Sequence, residues 1–173
     1  LEEAANPAHS PNPAKAAWYF MGFQELLMHF HPVFGAIIIP GAGLLGLLLI
    51  PYLDQDMDSV GIWFRSMNGR WLTLLSANLG VIGAFSFVLV DEYWLDIPGW
   101  LPFLPSYVSN GWIPLAGVLL LLIGYYEVLK ALKASTCEAR QSLFTLLLAS
   151  FITLTVIGIF FRGEGMAFIL PWS

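Results

Sequence analysis

The chain has 173 residues, of which 58% are hydrophobic, 15% aromatic and only 11% charged. Soluble domains carry about 25% charged residues, so a mean hydropathy of +0.74 excludes a soluble enzyme, a disordered tail and a basic nucleic-acid binder. A single cysteine, Cys137, excludes a disulfide framework, a CxxCH haem attachment and a cysteine-rich iron–sulfur or zinc site, which leaves a polytopic membrane protein.

The chain opens at Leu1 without a visible secretory signal, which predicts a processed or truncated N-terminus. Pro7, Pro11 and Pro13, with Asn and Ser between them, predict an extended loop that contains His9. A helix follows from near Ala16. Trp18, Gly22, Glu25 and His29 recur at spacings of four, three and four, which puts them on one helical face. Residues 1–32 thus predict an outer-side loop and an interfacial amphipathic helix. Charge-free runs at Leu26–Leu53, Trp71–Val90, Ile97–Tyr126 and Gln141–Phe161, trimmed at turn signals, predict about four spans near 33–53, 71–90, 113–131 and 141–161. Pro40 ahead of Gly41-Ala42-Gly43 predicts a kink. The small pairs Ala42/Gly46 and Gly80/Ala84 allow close approach of another helix, from this chain or from a partner.

Residues 91–112, rich in proline and aromatics, predict an interfacial loop between the spans of 33–90 and those of 113–173. Asp91, Glu92 and Asp96 make that loop acidic, either as plain solvated charge or as an attraction for a basic electron carrier. At the end of the last span, Arg162 is expected to pair locally with Glu164, and Lys130 near Glu127 to snorkel. The fold class is all-α, a bundle of polytopic transmembrane helices.

Arg65, Arg70, Lys130, Lys133 and Arg140 fall on one side of these spans, and Lys15 and Arg162 on the other. The positive-inside rule then places both termini outside, together with His9, His29, His31 and Glu25. No ion pair is expected within a span, which argues against a transporter core.

The run Ala5-Asn6-Pro7, Lys15 and Trp18-Tyr19-Phe20 resembles the segment that leads into the Pro-Glu-Trp-Tyr motif of cytochrome b. Ile50-Pro51-Tyr52-Leu53 and Phe64-Arg65 resemble the end of that family's next helix and the loop after it. The likeness covers roughly residues 5–90 and is similar to the separate C-terminal half of a split cytochrome b, subunit IV of the photosynthetic type. It implies a role in quinol oxidation at the outer face. The partners it implies are a haem-bearing N-terminal cytochrome b subunit, a Rieske iron–sulfur protein and cytochrome c, within lipid. Haem b is expected on the partner and none on this chain. The resemblance also implies a bacterial cytoplasmic membrane, with a thylakoid-type membrane as the alternative.

One departure matters. The motif's Glu is Ala17 here and its Pro is Ala16. Quinol oxidation still releases protons, and an acceptor must lie within hydrogen-bond reach or one water of the hydroxyl. Glu25 is the expected substitute, with proton affinity raised by an apolar pocket, and His29 passes the proton outward. Trp18, Tyr19, Phe20 and Gln24 are expected to line the quinone site, with Met21, Phe23 and Leu27 as apolar wall. The competing reading makes Glu25 and His29 an ordinary helix-surface pair and the whole chain a haem-free structural anchor for an extrinsic redox module. A metal at His29-Phe30-His31 with Glu25 needs a break in the helix, which Pro32 encourages, and lacks a fourth ligand nearby.

Overall fold

The computed structural model describes residues 15–53, 66–163 and 166–169. The proline-rich opening loop with His9, the Phe64-Arg65 pair and Glu164 lie outside the described residues. A 3-10 turn, Trp18–Phe20, leads into α1 (Met21–His29). A π turn, Phe34–Ile38, opens into α2 (Ile39–Leu53). There follow α3 (Met67–Tyr93) and the short α4 (Ile97–Trp100). A second π turn, Val108–Trp112, opens into α5 (Ile113–Ala131), and α6 (Thr136–Phe160) closes the series. The helices 67–93, 108–131 and 136–160 are long and apolar enough to cross a membrane, and 34–49 forms a shorter apolar helix. The protein is an all-α, polytopic membrane protein.

Two of the long helices start a turn before the first charge-free residue, for a local reason. Ser66 caps α3 by accepting from Gly69 N–H, and Ser135 caps α6 in a capping box with Glu138. Arg70 and Arg140 therefore sit inside first turns rather than ahead of them. Ser66 Oγ also donates to Glu138, so one carboxylate ties both helix starts together. At the other end, Asp91 and Glu92 belong to the last turn of α3, and Asp96 caps α4 by accepting from Gly99 N–H at 2.9 Å. The acidic loop expected there is thus mostly helix.

The core is α3 packed on α6, with α1 laid across α6. A Cβ at Gly69 would meet Glu138, and one at Gly80 would meet the Leu146 carbonyl at 2.5 Å, so α3 and α6 run parallel in tight contact. Ser150 Oγ donates to the Gly80 carbonyl across that seam at 3.2 Å. Gly22 faces Thr155 and Phe151, and Gly158 faces Met21, which brings α1 equally close to α6. The Gly80/Ala84 pair therefore packs within the chain. Among the described residues no heavy atom lies within 4 Å of a Cβ built at Gly46 on α2, so the Ala42/Gly46 pair does not pack against any of them.

Both π turns end just before a proline. Pro40 and Pro114 lack the N–H that would reach back four residues, and their rings would press on the carbonyls of Ala36 and Asn110. Widening the turn relieves that pressure. The Asn110 carbonyl accepts instead from His31 N–H at 2.8 Å, and Gly111 lets the Phe34 ring lie against its backbone. The predicted kink is thus a π turn, and it docks the α1–α2 corner onto the start of α5.

Candidate functional site

The 3-10 turn presents three aromatic rings outward: Trp18 is 71% exposed, Tyr19 58% and Phe20 54%. Their centroids step inward from Trp18 to Tyr19 (5.6 Å), Phe20 (5.0 Å), Phe23 (6.4 Å) and Phe151 of α6 (5.0 Å). Trp18–Phe20 wind as a 3-10 turn before α1 begins at Met21, so Trp18 leaves the face of Gly22, Glu25 and His29 and is exposed where they are buried. Gln24 holds the approach: its Oε1 accepts from Ala16 N–H at 2.7 Å. The expected apolar wall divides. Met21 is buried against Gly158, Phe23 bridges to α6, and Leu27 faces outward.

One and two turns further along α1, Glu25 and His29 are buried in a charged cluster. Arg162, just past α6, grips Glu25 with Nη2–Oε1 at 2.6 Å and Nε to Oε1 and Oε2 at 3.1 and 3.2 Å. Its Nη1 donates to Glu92 Oε2 at 2.9 Å and to the Met166 carbonyl at 3.1 Å. The His29 ring lies between two carboxylates, with Nδ1 2.6 Å from Asp91 Oδ2 and Nε2 3.2 Å from Glu25 Oε1. Glu25 and Arg162 side chains are wholly buried, while Asp91 and Glu92 remain 27% and 29% exposed. The chain after α6 folds back over the guanidinium: Arg162 pairs with Phe168 in a β-bridge, and the Phe168 ring lies 5.7 Å from it.

This geometry reverses one expectation. Burial alone raises the Glu25 carboxyl, but hydrogen bonds from His29 and Arg162 outweigh it and hold it below its ordinary value. Glu25 is therefore an anion with a fixed partner, not a carboxyl made more basic by an apolar pocket. Arg162 makes ion pairs with Glu25 and Glu92, far away in sequence, while Glu164, the local partner expected, lies outside the described residues. Burial lowers His29, yet Asp91 first and Glu25 second lift it above its ordinary value. The two carboxylates thus hold His29 toward its protonated form. Arg162 and Asp91 were not singled out from the sequence as site residues. The available signal was a lone arginine closing an otherwise charge-free span, on the side expected to hold a lone interfacial glutamate.

Both ring nitrogens of His29 are engaged, and the His31 ring packs edge-on against Phe34 at 6.3 Å. Among the described residues no group of three His, Cys, Asp or Glu side chains is arranged to hold a metal ion.

Residues 4–101 match the protein family described as cytochrome b (C-terminal)/b6/petD, more than half of the 173 residues. No solved structure matches the chain. The matched region takes in α1, α2, α3 and α4, and so Glu25, His29, Asp91 and Glu92, whereas Arg162 lies beyond it.

Proposed function

The chain belongs to the cytochrome b C-terminal/b6/petD family and so to a bc- or b6f-type electron-transfer complex, and we propose that it completes the quinol-oxidising site of that complex. It does so beside the haem-bearing N-terminal cytochrome b subunit, on the outer face of a bacterial cytoplasmic membrane, where both its termini lie. The observation that carries this reading is the sequence of features along α1. An outward-facing aromatic turn at Trp18–Phe20 runs directly into a buried acid–base pair, Glu25 and His29.

In this reading Trp18, Tyr19 and Phe20 form one wall of a pocket that the partner subunit closes, and Gln24 holds that wall in place. The Glu25–His29 pair takes the place of the motif carboxylate lost at Ala17. Glu25, neutralised by Arg162, stays charged and orients the imidazole; His29 accepts the proton. A Rieske protein, with cytochrome c beyond it, and haem b on the partner would take up the two electrons, while this chain supplies the aromatic wall and the proton acceptor. The competing reading, a structural anchor without quinol chemistry, draws on the burial of Glu25 and His29 inside this chain.

Replacing Phe20 or Trp18 by Ala in the assembled complex separates the two. An aromatic ring that packs on the quinol head contributes about 0.5–1.5 kcal/mol beyond its area, so the KM for quinol is expected to rise about three- to tenfold. Unchanged KM and unchanged pocket-inhibitor binding in both variants point to the anchor.

A further inference from the structure

His29 sits between two hydrogen-bond acceptors of opposite standing. Asp91, on α3, is partly exposed and lies 2.6 Å from Nδ1. Glu25, on the same helix as His29, is wholly buried and lies 3.2 Å from Nε2. A neutral imidazole carries one hydrogen and can donate to only one of two carboxylates. The shorter contact takes it, so the hydrogen resides on Nδ1 and the bare nitrogen is Nε2. The neighbouring Glu92 does not compete for the ring, because Arg162 Nη1 occupies it at 2.9 Å. The Phe87 ring, 5.5 Å from the imidazole centroid, packs against the imidazole as an apolar neighbour.

We propose that Asp91 is a positioning residue for the proton step: by holding the Nδ1 hydrogen of His29 it presents Nε2, on the Glu25 side, as the accepting nitrogen. The inference rests on the quinol-site reading and deepens it. In the step itself the O–H bond of the quinol hydroxyl breaks and its electron pair stays on oxygen. The proton passes by way of Glu25 Oε1, 3.2 Å from the ring, and an N–H bond forms at Nε2 as Glu25 returns to its anion. The product is an imidazolium hydrogen-bonded to a carboxylate at each nitrogen, with the Arg162 guanidinium balancing Glu25 and Glu92. A carboxylate on the far nitrogen makes the imidazole more basic and fixes its tautomer, a role known to govern imidazole ligands and bases elsewhere.

The charged groups on the His29 ring are Glu25 on α1 and Asp91 on α3; behind Glu25 stands Arg162, after α6, which is held in turn by Glu92 of α3. Their arrangement sets the test, a pH profile of quinol oxidation by the assembled complex. The wild type is expected to gain kcat as pH rises through an acid limb above 6.5, the ordinary histidine value, because the base must be deprotonated. Asp91→Asn is expected to move that limb to lower pH and to cut kcat about 10- to 100-fold with quinol KM unchanged. Asp91→Glu restores the limb. Glu92→Gln, which touches Arg162 rather than the ring, leaves the pH of the limb in place. Should Asp91→Asn not assemble, Asp91→Ser carries the same expectation.

The proposal is overturned by a neutral variant at Asp91 with wild-type kcat and limb, or by a Glu92→Gln limb displaced as far as that of Asp91→Asn. Failure of the underlying reading looks different: the Phe20 and Trp18 variants leave KM and inhibitor binding untouched, whatever happens at Asp91.

Discussion

Arg162 has the largest wholly buried side chain among the described residues. Moving a guanidinium out of water costs several kcal/mol, so it persists only where the pairing is close and complete. Two nitrogens on Glu25, a third on Glu92 and a carbonyl meet that condition. Arg162→Gln leaves buried Glu25 with only the His29 contact and is expected to cost about 3–5 kcal/mol. In a double-mutant cycle with Glu25→Gln, measured by denaturant unfolding of the complex in detergent, the two losses will not add. The cluster also sets a pH window. Glu25, depressed, contributes stability above its ordinary 4.5 and loses it as pH falls through its lowered value. His29, raised, contributes fully below its ordinary 6.5 and loses it as pH rises through its raised value. The apparent melting temperature is expected to peak between those two ordinary values and fall on both sides; a monotonic rise toward pH 9 contradicts it. Glu25 and His29 were legible in the sequence because a helix repeats every 3.6 residues. Arg162, 137 positions from Glu25, was not, since no local periodicity reaches that far.

At the scale of elements, spans were legible as charge-free runs, and their ends were not. Caps begin helices, and Ser66 and Ser135 draw Arg70, Glu138 and Arg140 into first turns that a charge count assigns to loops. Pro40 and Pro114 mark the other local surprise, a widened turn in place of a simple bend. Which glycines matter is likewise a tertiary question. Gly80 and Gly83 lie one helical turn apart on α3, yet a Cβ at Gly80 strikes the Leu146 carbonyl and one at Gly83 meets nothing within 4 Å. Gly80→Ala is expected to force α3 from α6 and to cost about 1–3 kcal/mol. Gly83→Ala, by helix propensity alone, is expected to be neutral or to stabilise by up to about 1 kcal/mol. Thermal unfolding of the two variants side by side checks the pair, and equal losses would show that α3 and α6 do not meet at Gly80.

Across the whole molecule the helices divide by what they touch. α1, α3 and α6 share seams built on Gly22, Gly69, Gly80 and Gly158, and the charged cluster locks one end of that group. Among the described residues α2 shares no such seam: Leu44, Leu45, Leu47 and Leu48 are each more than half exposed, and a Cβ at Gly41, Gly43 or Gly46 meets no heavy atom within 4 Å. α5 meets the others near its ends, through the His31–Asn110 bond, the Ser76–Tyr125 hydroxyl contact and the Leu72–Leu129–Ala139 cluster, while Leu120 and Leu121 point away. Lipid tails are as apolar as leucine, so exposed leucines alone do not call for a protein neighbour. Three glycines and Ala42 within six residues of one exposed helix are different, since glycine lowers helix propensity and small residues are favoured where backbones meet. The N-terminal cytochrome b subunit is the neighbour that family membership supplies. Gly46→Ile is therefore expected to lower recovery of that partner about fivefold, equivalent to ~1 kcal/mol of helix–helix packing. Unfolding of the α1–α3–α6 group should stay at its wild-type midpoint, because Gly46 touches none of it. Wild-type recovery of the partner would assign the α2 stripe to lipid and leave α1 and α3 to carry the contact between the two halves.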